Sequence, residues 1–281
     1  LAADQGLEPQ YHPPEGCVLP LDESAITLYY TIWDAFSMKF PCYNKPMSVD
    51  HFRPKKLTIE EIREGCIYAN KGDEKEVRIC AMDEEFRQGM NTITETGRAV
   101  TFFGSARTPV DDPYYQKANR LAERIAKETN FAVVTGGGPG IMGAGNEGAY
   151  KAGGESIGFT IKLPMEQTTN PFVTHEVPFY YFFTRKVSMT FAADAFLAFP
   201  GGFGTIDEVS EVLTLVQTGK MEKLPIILVG VGFWKPLVDF FRKTMLEQYK
   251  TISPEDMDLF TVTDDEELIM KMIKEAPVRE K

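Results

Sequence analysis

Three glycine-rich stretches mark the places where this chain could hold an anion: Gly104-Ser105-Ala106-Arg107, Gly136-Gly137-Gly138-Pro139-Gly140-Ile141-Met142-Gly143 and Pro200-Gly201-Gly202-Phe203-Gly204-Thr205. Each follows a short apolar run and precedes a stretch of helical pattern. Glycine lets the backbone turn sharply and approach a ligand closely, and the helix start that follows offers unpaired N–H groups and the positive end of a dipole. Side chains suited to work on a bound anion are Arg185 and Lys186, and Asp207 and Glu208 just past the third turn. An arginine grips phosphate or ribose oxygens with its planar fork. A carboxylate stabilises developing positive charge and can orient or deprotonate a water. Each feature has a plainer reading: a tight strand-to-helix connection, an exposed basic pair, acidic residues offsetting a helix dipole. Three such turns at one edge of one sheet favour a ligand site.

The second turn contains a formal G-x-G-x-x-G at Gly138, Gly140 and Gly143. A dinucleotide site also requires a carboxylate at the end of the next strand for the ribose. That strand runs into Lys162-Leu163-Pro164, so NAD is disfavoured. The third turn lacks the Gly-Lys-Ser/Thr of a nucleoside triphosphate loop.

The elements that must position these turns read clearly after residue 96. Strand patterns fall at Ala99–Phe103, Phe131–Thr135, Ser156–Ile161, Ala195–Phe199 and Leu224–Val229. Helical patterns fall at Asp112–Thr129, Gly140–Lys151, Thr184–Phe191, Phe203–Thr218, Trp234–Tyr249 and Glu266–Lys274. Short apolar strands alternating with helices predict an α/β fold, a parallel sheet covered on both faces. Ligands in such sheets bind beyond the carboxyl ends of the strands, where three of these strands end in glycine. Residues 1–95 are irregular and read as a separate extension ahead of a domain at 96–281. They comprise a proline-containing arm at 1–20, helices at 22–39 and Thr58–Ala69, a loop at 41–57, and a short helix at 83–95.

The totals narrow the function classes. The chain has 281 residues, a formal net charge of −11 and 43% hydrophobic residues, enough for a large core. The acidic balance argues against nucleic acid or an anionic membrane as partner, while a local nest of N–H groups can still hold one small anion. No run reaches the ~18 apolar residues of a membrane span, and the cytosol is the expected compartment. Cys17, Cys42, Cys66 and Cys80 show no metal-ligand spacing and no C-x-x-C pair, so reduced thiols are expected.

Taken together, Gly136–Gly143, Arg185-Lys186 followed by Met189, and Pro200-Gly201-Gly202-Phe203-Gly204-Thr205-Ile206-Asp207-Glu208 closely resemble the LOG family. These are the cytokinin riboside 5′-monophosphate phosphoribohydrolases, many once labelled lysine decarboxylases. The resemblance runs from about Ala99 to Phe241, and the third stretch matches the family's Pro-Gly-Gly-x-Gly-Thr-x-x-Glu in full. It implies a Rossmann-like fold, a homodimer or higher homo-oligomer, and hydrolysis of a nucleoside 5′-monophosphate without metal or organic cofactor. By motif the catalytic pair falls on Arg185 and Glu208, and the phosphate loop on Gly201, Gly202, Gly204 and Thr205. Gly104 and Ser105 of the first turn, Gly137, Gly138 and Met142 of the second, and Lys186 complete the candidate substrate-binding set. One departure is Gly143, where many family members have Glu. Cleaving an N-glycosidic bond builds positive charge on the sugar. Glu208, expected in the first turn of its helix, would face the ribose, because a carboxylate touching the phosphate is repelled. A non-catalytic nucleotide or cofactor carrier of the same fold is the alternative. Lysine decarboxylation would need pyridoxal phosphate on a lysine, and no lysine stands in a Schiff-base context.

Overall fold

A computed structural model describes residues 74–162 and 168–279 of the chain. The arm, the loop and the helices expected before residue 74 lie outside the described residues. Seven parallel strands form one sheet: β1 (Ala99–Phe103), β2 (Ala132–Thr135), β3 (Ser156–Ile161), β4 (His175–Phe179), β5 (Ala195–Ala198), β6 (Ile226–Val229) and β7 (Thr261–Thr263), in the order β4-β3-β2-β1-β5-β6-β7. Among the described residues seven α-helices accompany it: α1 (Glu74–Thr96), α2 (Pro113–Thr129), α3 (Ile141–Lys151), α4 (Phe182–Ala192), α5 (Phe203–Gln217), α6 (Val231–Phe240) and α7 (Glu266–Lys274). This is the parallel α/β sheet read from the strand pattern, with the Rossmann-like architecture that the family resemblance implies.

Strand alternation builds two cores, one on each face. In β1, Ala99 and Phe103 join Met189 of α4, Val209, Val212 and Val216 of α5 and Trp234 of α6, with Ile93 of α1. Val100 and Phe102 point the other way, onto Leu121 and Ile125 of α2, Ile141 and Ala144 of α3 and Ile269 and Ile273 of α7. Every residue of β1, β2, β5 and β6 is buried, as expected of central parallel strands covered on both sides. That double burial explains why these strands read as unbroken apolar runs rather than alternating ones.

The departures from the sequence reading have local causes. β4, of sequence HEVPF, was not expected as a strand. It is an edge strand in which only Val177 and Phe179 are buried, and Pro178 is tolerated because an edge leaves one side of the backbone unpaired. β7 has only three residues and gives too little pattern to read. The helix expected from Trp234 starts at Val231 and, after Phe240, continues as a wider π-wound stretch, Phe241–Gln248. The helix expected at 83–95 extends from Glu74 to Thr96 and packs on α4 and β4. Cys80 on α1 is disulfide-bonded, which corrects the expectation of reduced thiols. Neither C-x-x-C spacing nor a compact cysteine cluster had signalled a bridge.

Candidate active site

The strand order reverses between β1 and β5, whose chain neighbours lie on opposite sides. At such a switch point the loops leaving the two strands part and open a crevice. The first and third glycine turns are those two loops, and the second, after β2, lies beside them. Ser105 knots all three together. Its N–H donates to Pro200 O at 3.1 Å, its carbonyl accepts from Ile141 N–H at 3.0 Å, and its hydroxyl oxygen accepts from Arg107 N–H at 3.0 Å. The close approach explains Gly140, which has φ +67° and whose added Cβ would overlap Ser105 O. The second turn is held from behind. Asn170 Nδ2 lies 3.0 Å from both Gly137 O and Gly138 O, and Gly137 N–H donates to Thr135 Oγ1 at 2.9 Å.

A cleft of about 890 Å³ opens over this knot. Among the candidate residues, Gly104, Ser105, Met142, Arg185, Gly201, Gly202, Gly204, Thr205 and Glu208 line it. Gly137, Gly138 and Lys186 do not. The two glycines face the Asn170 side of their turn. Lys186 is drawn along α5 by Asp207 Oδ2 at 2.8 Å and Glu211 Oε2 at 2.7 Å. Arg107, Tyr114, Phe182 and Phe203 also line the cleft. Of these, Phe182 belongs to the aromatic run Tyr180–Phe183 before Arg185, in which packing is expected for most and stacking on a base for one, and its ring lies 5.5 Å from the Arg185 guanidinium carbon. Asp112 reaches the rim too, but its carboxylate is spent on capping α2 through Tyr114 N–H at 2.7 Å.

The third turn leads into α5 with Gly202 at the N-cap and no side chain capping it. The first amides of α5 therefore remain available at the cleft. A Cβ on Gly201 would overlap Thr205 Oγ1, so glycine there lets the buried Thr205 fold back under the loop. Glu208 sits in the second turn of α5, one turn deeper than expected. The dipole falls off within the first turn, so offsetting it does not account for a carboxylate at this depth.

Arg185 and Glu208 meet from neighbouring helices, Arg185 Nη2 lying 3.6 Å from Glu208 Oε1, with 11% and 15% of the two side chains exposed. Among the described residues the Arg185 guanidinium donates no hydrogen bond, and its buried Nε has no partner. Burial pulls the arginine below its ordinary range, against the pull of Glu208. Burial raises the Glu208 carboxyl to about 7, opposed by Arg185 and Lys186 and helped by Asp207 and Glu211. A cation and a carboxylate are thus held close, dry and without a full set of partners. Buried polar groups in that condition are costly, and a ligand's oxygens would complete them.

A family model described as possible lysine decarboxylase matches residues 142–273. Among the described residues no lysine lines the cleft, and Lys186 is engaged by two carboxylates, so these residues do not fit pyridoxal phosphate. Cytokinin riboside 5′-monophosphate phosphoribohydrolase LOG3 of Arabidopsis thaliana is 31% identical over 191 residues, covering 66% of this chain and 85% of its own length. The LOG2 enzyme of the same plant is 34% identical over 158 residues, covering 54% and 71%. Among solved structures, the molybdenum cofactor carrier protein of Chlamydomonas reinhardtii is 23% identical with a TM-score of 0.48, covering 64% of this chain and 98% of its own. With the motif Pro200–Glu208 entire and relatives aligned along most of their length, the chain belongs to the LOG family.

Proposed function

We propose that the chain hydrolyses the N-glycosidic bond of a nucleoside 5′-monophosphate, AMP or a cytokinin riboside monophosphate, giving free base and ribose 5-phosphate. The phosphate docks on the amides of Gly201, Gly202, Gly204 and Thr205 at the start of α5, where the dipole favours an anion. The ribose then lies toward Glu208, one turn further along. As the C1′–N bond breaks, its electron pair leaves with the base and positive charge develops on the sugar. The Glu208 carboxylate stabilises that charge and accepts a proton from the attacking water, whose oxygen bonds to C1′. The proton passes on to the departing base, and atoms balance with one water consumed. Arg185 grips ribose or phosphate oxygens and holds Glu208 toward its ionised form. Gly104, Ser105 and Met142 shape the wall of the cleft, and no metal or organic cofactor takes part.

The observation carrying this reading is the under-partnered pair Arg185–Glu208 beside an open helix start at the switch point. A carboxyl raised to about 7 suits a group that must both hold and release a proton near neutrality. The reading includes a homodimer or larger homo-oligomer. Phe203, 95% exposed at the rim, is an apolar group that a bound base or a second copy would cover.

The test is chromatography of reactions with AMP, CMP, GMP, UMP and adenosine. Free base from a monophosphate but not from adenosine is expected. Tight nucleotide binding without base release from any of them would replace the hydrolase with a carrier.

A further inference from the structure

The helix that carries Arg185 begins in an unfavourable way. The N-cap of α4, Tyr181, gives no side-chain hydrogen bond, and its first turn holds no acid. The charges near that positive helix end are instead the cations Arg185 and Lys186, which the dipole disfavours there. The missing cap comes from another helix. Glu85, near the middle of α1, places Oε1 2.8 Å from Tyr180 N, and Oε2 3.4 Å from Tyr181 N and 2.5 Å from Thr184 Oγ1. One carboxylate thus takes two backbone N–H groups and a hydroxyl at the end of the helix where Arg185 stands, and Arg185 is the residue next to Thr184.

A second feature shows that the two helices are shaped for this contact. A Cβ on Gly89, one turn after Glu85, would meet Ser188 Oγ and Cβ and the Phe179 ring. Glycine there lets α1 lie directly on α4. Phe86 and Phe183 add a ring contact at 6.3 Å, and Ile93 anchors the far end of α1 in the sheet core.

We infer that Glu85 is a positioning residue: from α1 it caps α4 and sets Arg185 against Glu208, so that a segment preceding the glycine-rich domain governs the working pair. The inference rests on the reading of Arg185 and Glu208 given above. It assigns no contact between Glu85 and substrate. The charged groups acting on Glu208 are Arg185 and Lys186 of α4 and Asp207 and Glu211 of α5. Glu85 is not among them, so removing its charge reaches Glu208 only by moving α4.

The experiment uses the full chain with Glu85→Gln and Glu85→Ala. Carboxyl-labelled glutamate is followed by NMR, Glu208 being identified with Glu208→Gln, and turnover of AMP is followed in parallel. The Glu208 midpoint is expected to rise by at least half a pH unit in Glu85→Ala as Arg185 draws away. The value of kcat is expected to fall about tenfold with KM within threefold. Glu85→Gln, which keeps one acceptor oxygen, should fall between wild type and Glu85→Ala, and it carries the test should Glu85→Ala not fold. An unshifted Glu208 midpoint with wild-type kcat in the folded variant overturns the inference. So does a loss of activity that follows only the folded fraction. A shifted midpoint in a protein whose wild type releases no base leaves the positioning role standing and removes the hydrolase reading instead.

Discussion

Two arginine–carboxylate pairs lie at opposite ends of the same sheet and are used in opposite ways. At the amino ends of the strands, Arg98 Nε stands 3.5 Å from Asp194 Oδ1. Asp194 Oδ2 accepts from Ala99 N–H at 2.9 Å, and Arg98 Nη2 donates to Ala276 O at 2.7 Å and Pro277 O at 3.1 Å. The guanidinium also lies 4.2 Å above the Phe131 ring. That pair ties the start of β1 to the α4–β5 connection and to the chain after α7. At the carboxyl ends, Arg185 and Glu208 touch each other at 3.6 Å and little else. Removing either charge from water is expensive in both places. At the amino end Arg98 Nε likewise lacks a hydrogen bond among the described residues, but backbone groups take up Arg98 Nη2 and Asp194 Oδ2. At the carboxyl end no backbone group is hydrogen-bonded to either side chain among the described residues, which fits the ligand site proposed above.

The comparison breaks most directly at Glu208. Glu208→Gln is expected to lower kcat about 10²–10³-fold, the scale of losing one electrostatic contact to developing charge, with AMP affinity by calorimetry changed only a few-fold. The pH dependence follows from the raised carboxyl. Because the ionised form works, kcat/KM should climb as pH rises through about 7. Stability runs the other way. A carboxyl whose folded pKa lies above its unfolded value of 4.5 contributes fully below 4.5, and that contribution is lost as pH rises through about 7. Thermal melts should therefore show Glu208→Gln level with wild type at pH 5 and more stable at pH 8. Retained turnover, or a melt difference of the reverse sign, would remove Glu208 from the site.

Asp194 should give the opposite pattern. Asp194→Ala leaves Arg98 without its carboxylate and Ala99 N–H without its acceptor, costing about 3 kcal/mol of stability on the scale of a broken buried pair. Denaturant titration reads that loss, while kcat per folded molecule stays at the wild-type value. A fall in kcat with unchanged stability would mean that the two ends of the sheet are not separate in role.

How much could be read beforehand follows from where each hydrogen-bond partner lies in the chain. Helix α7 begins where expected, and α2 one residue later, because Asp265 and Asp112 cap them from the adjacent position. Helices α4 and α6 begin earlier than expected, at Phe182 and Val231, because their partners are remote. Glu85 serves α4, and Asp264 Oδ2 accepts Val231 N–H at 2.9 Å. No local pattern announces a cap supplied from dozens of residues away. The glycine turns were legible for the converse reason, since the turn, the close approach and the helix start all act within a few residues. The strands of the centre were readable from burial on both faces, whereas β4 at the edge showed only half of that signal.

Lys186 provides the smallest expected effect and tests whether neighbouring cations on one helix can differ in kind. Sequence reasoning placed it beside Arg185 in the substrate set, yet it lies outside the cleft lining, 2.8 Å from Asp207 and 2.7 Å from Glu211. Those two carboxylates, with burial opposing them, hold its ammonium above its ordinary range. Such a partly exposed bridge is worth about 0–1 kcal/mol. Lys186→Met should therefore lower stability by less than ~1 kcal/mol and leave KM for AMP within about threefold. It should also nudge the acid limb of the kcat/KM profile upward, because Lys186 is one of the two cations that favour ionised Glu208. A tenfold rise in KM for AMP would instead show that the lysine leaves its carboxylates to reach the phosphate. Lys186 would then join Arg185 and Arg107 on the positively charged side of the site.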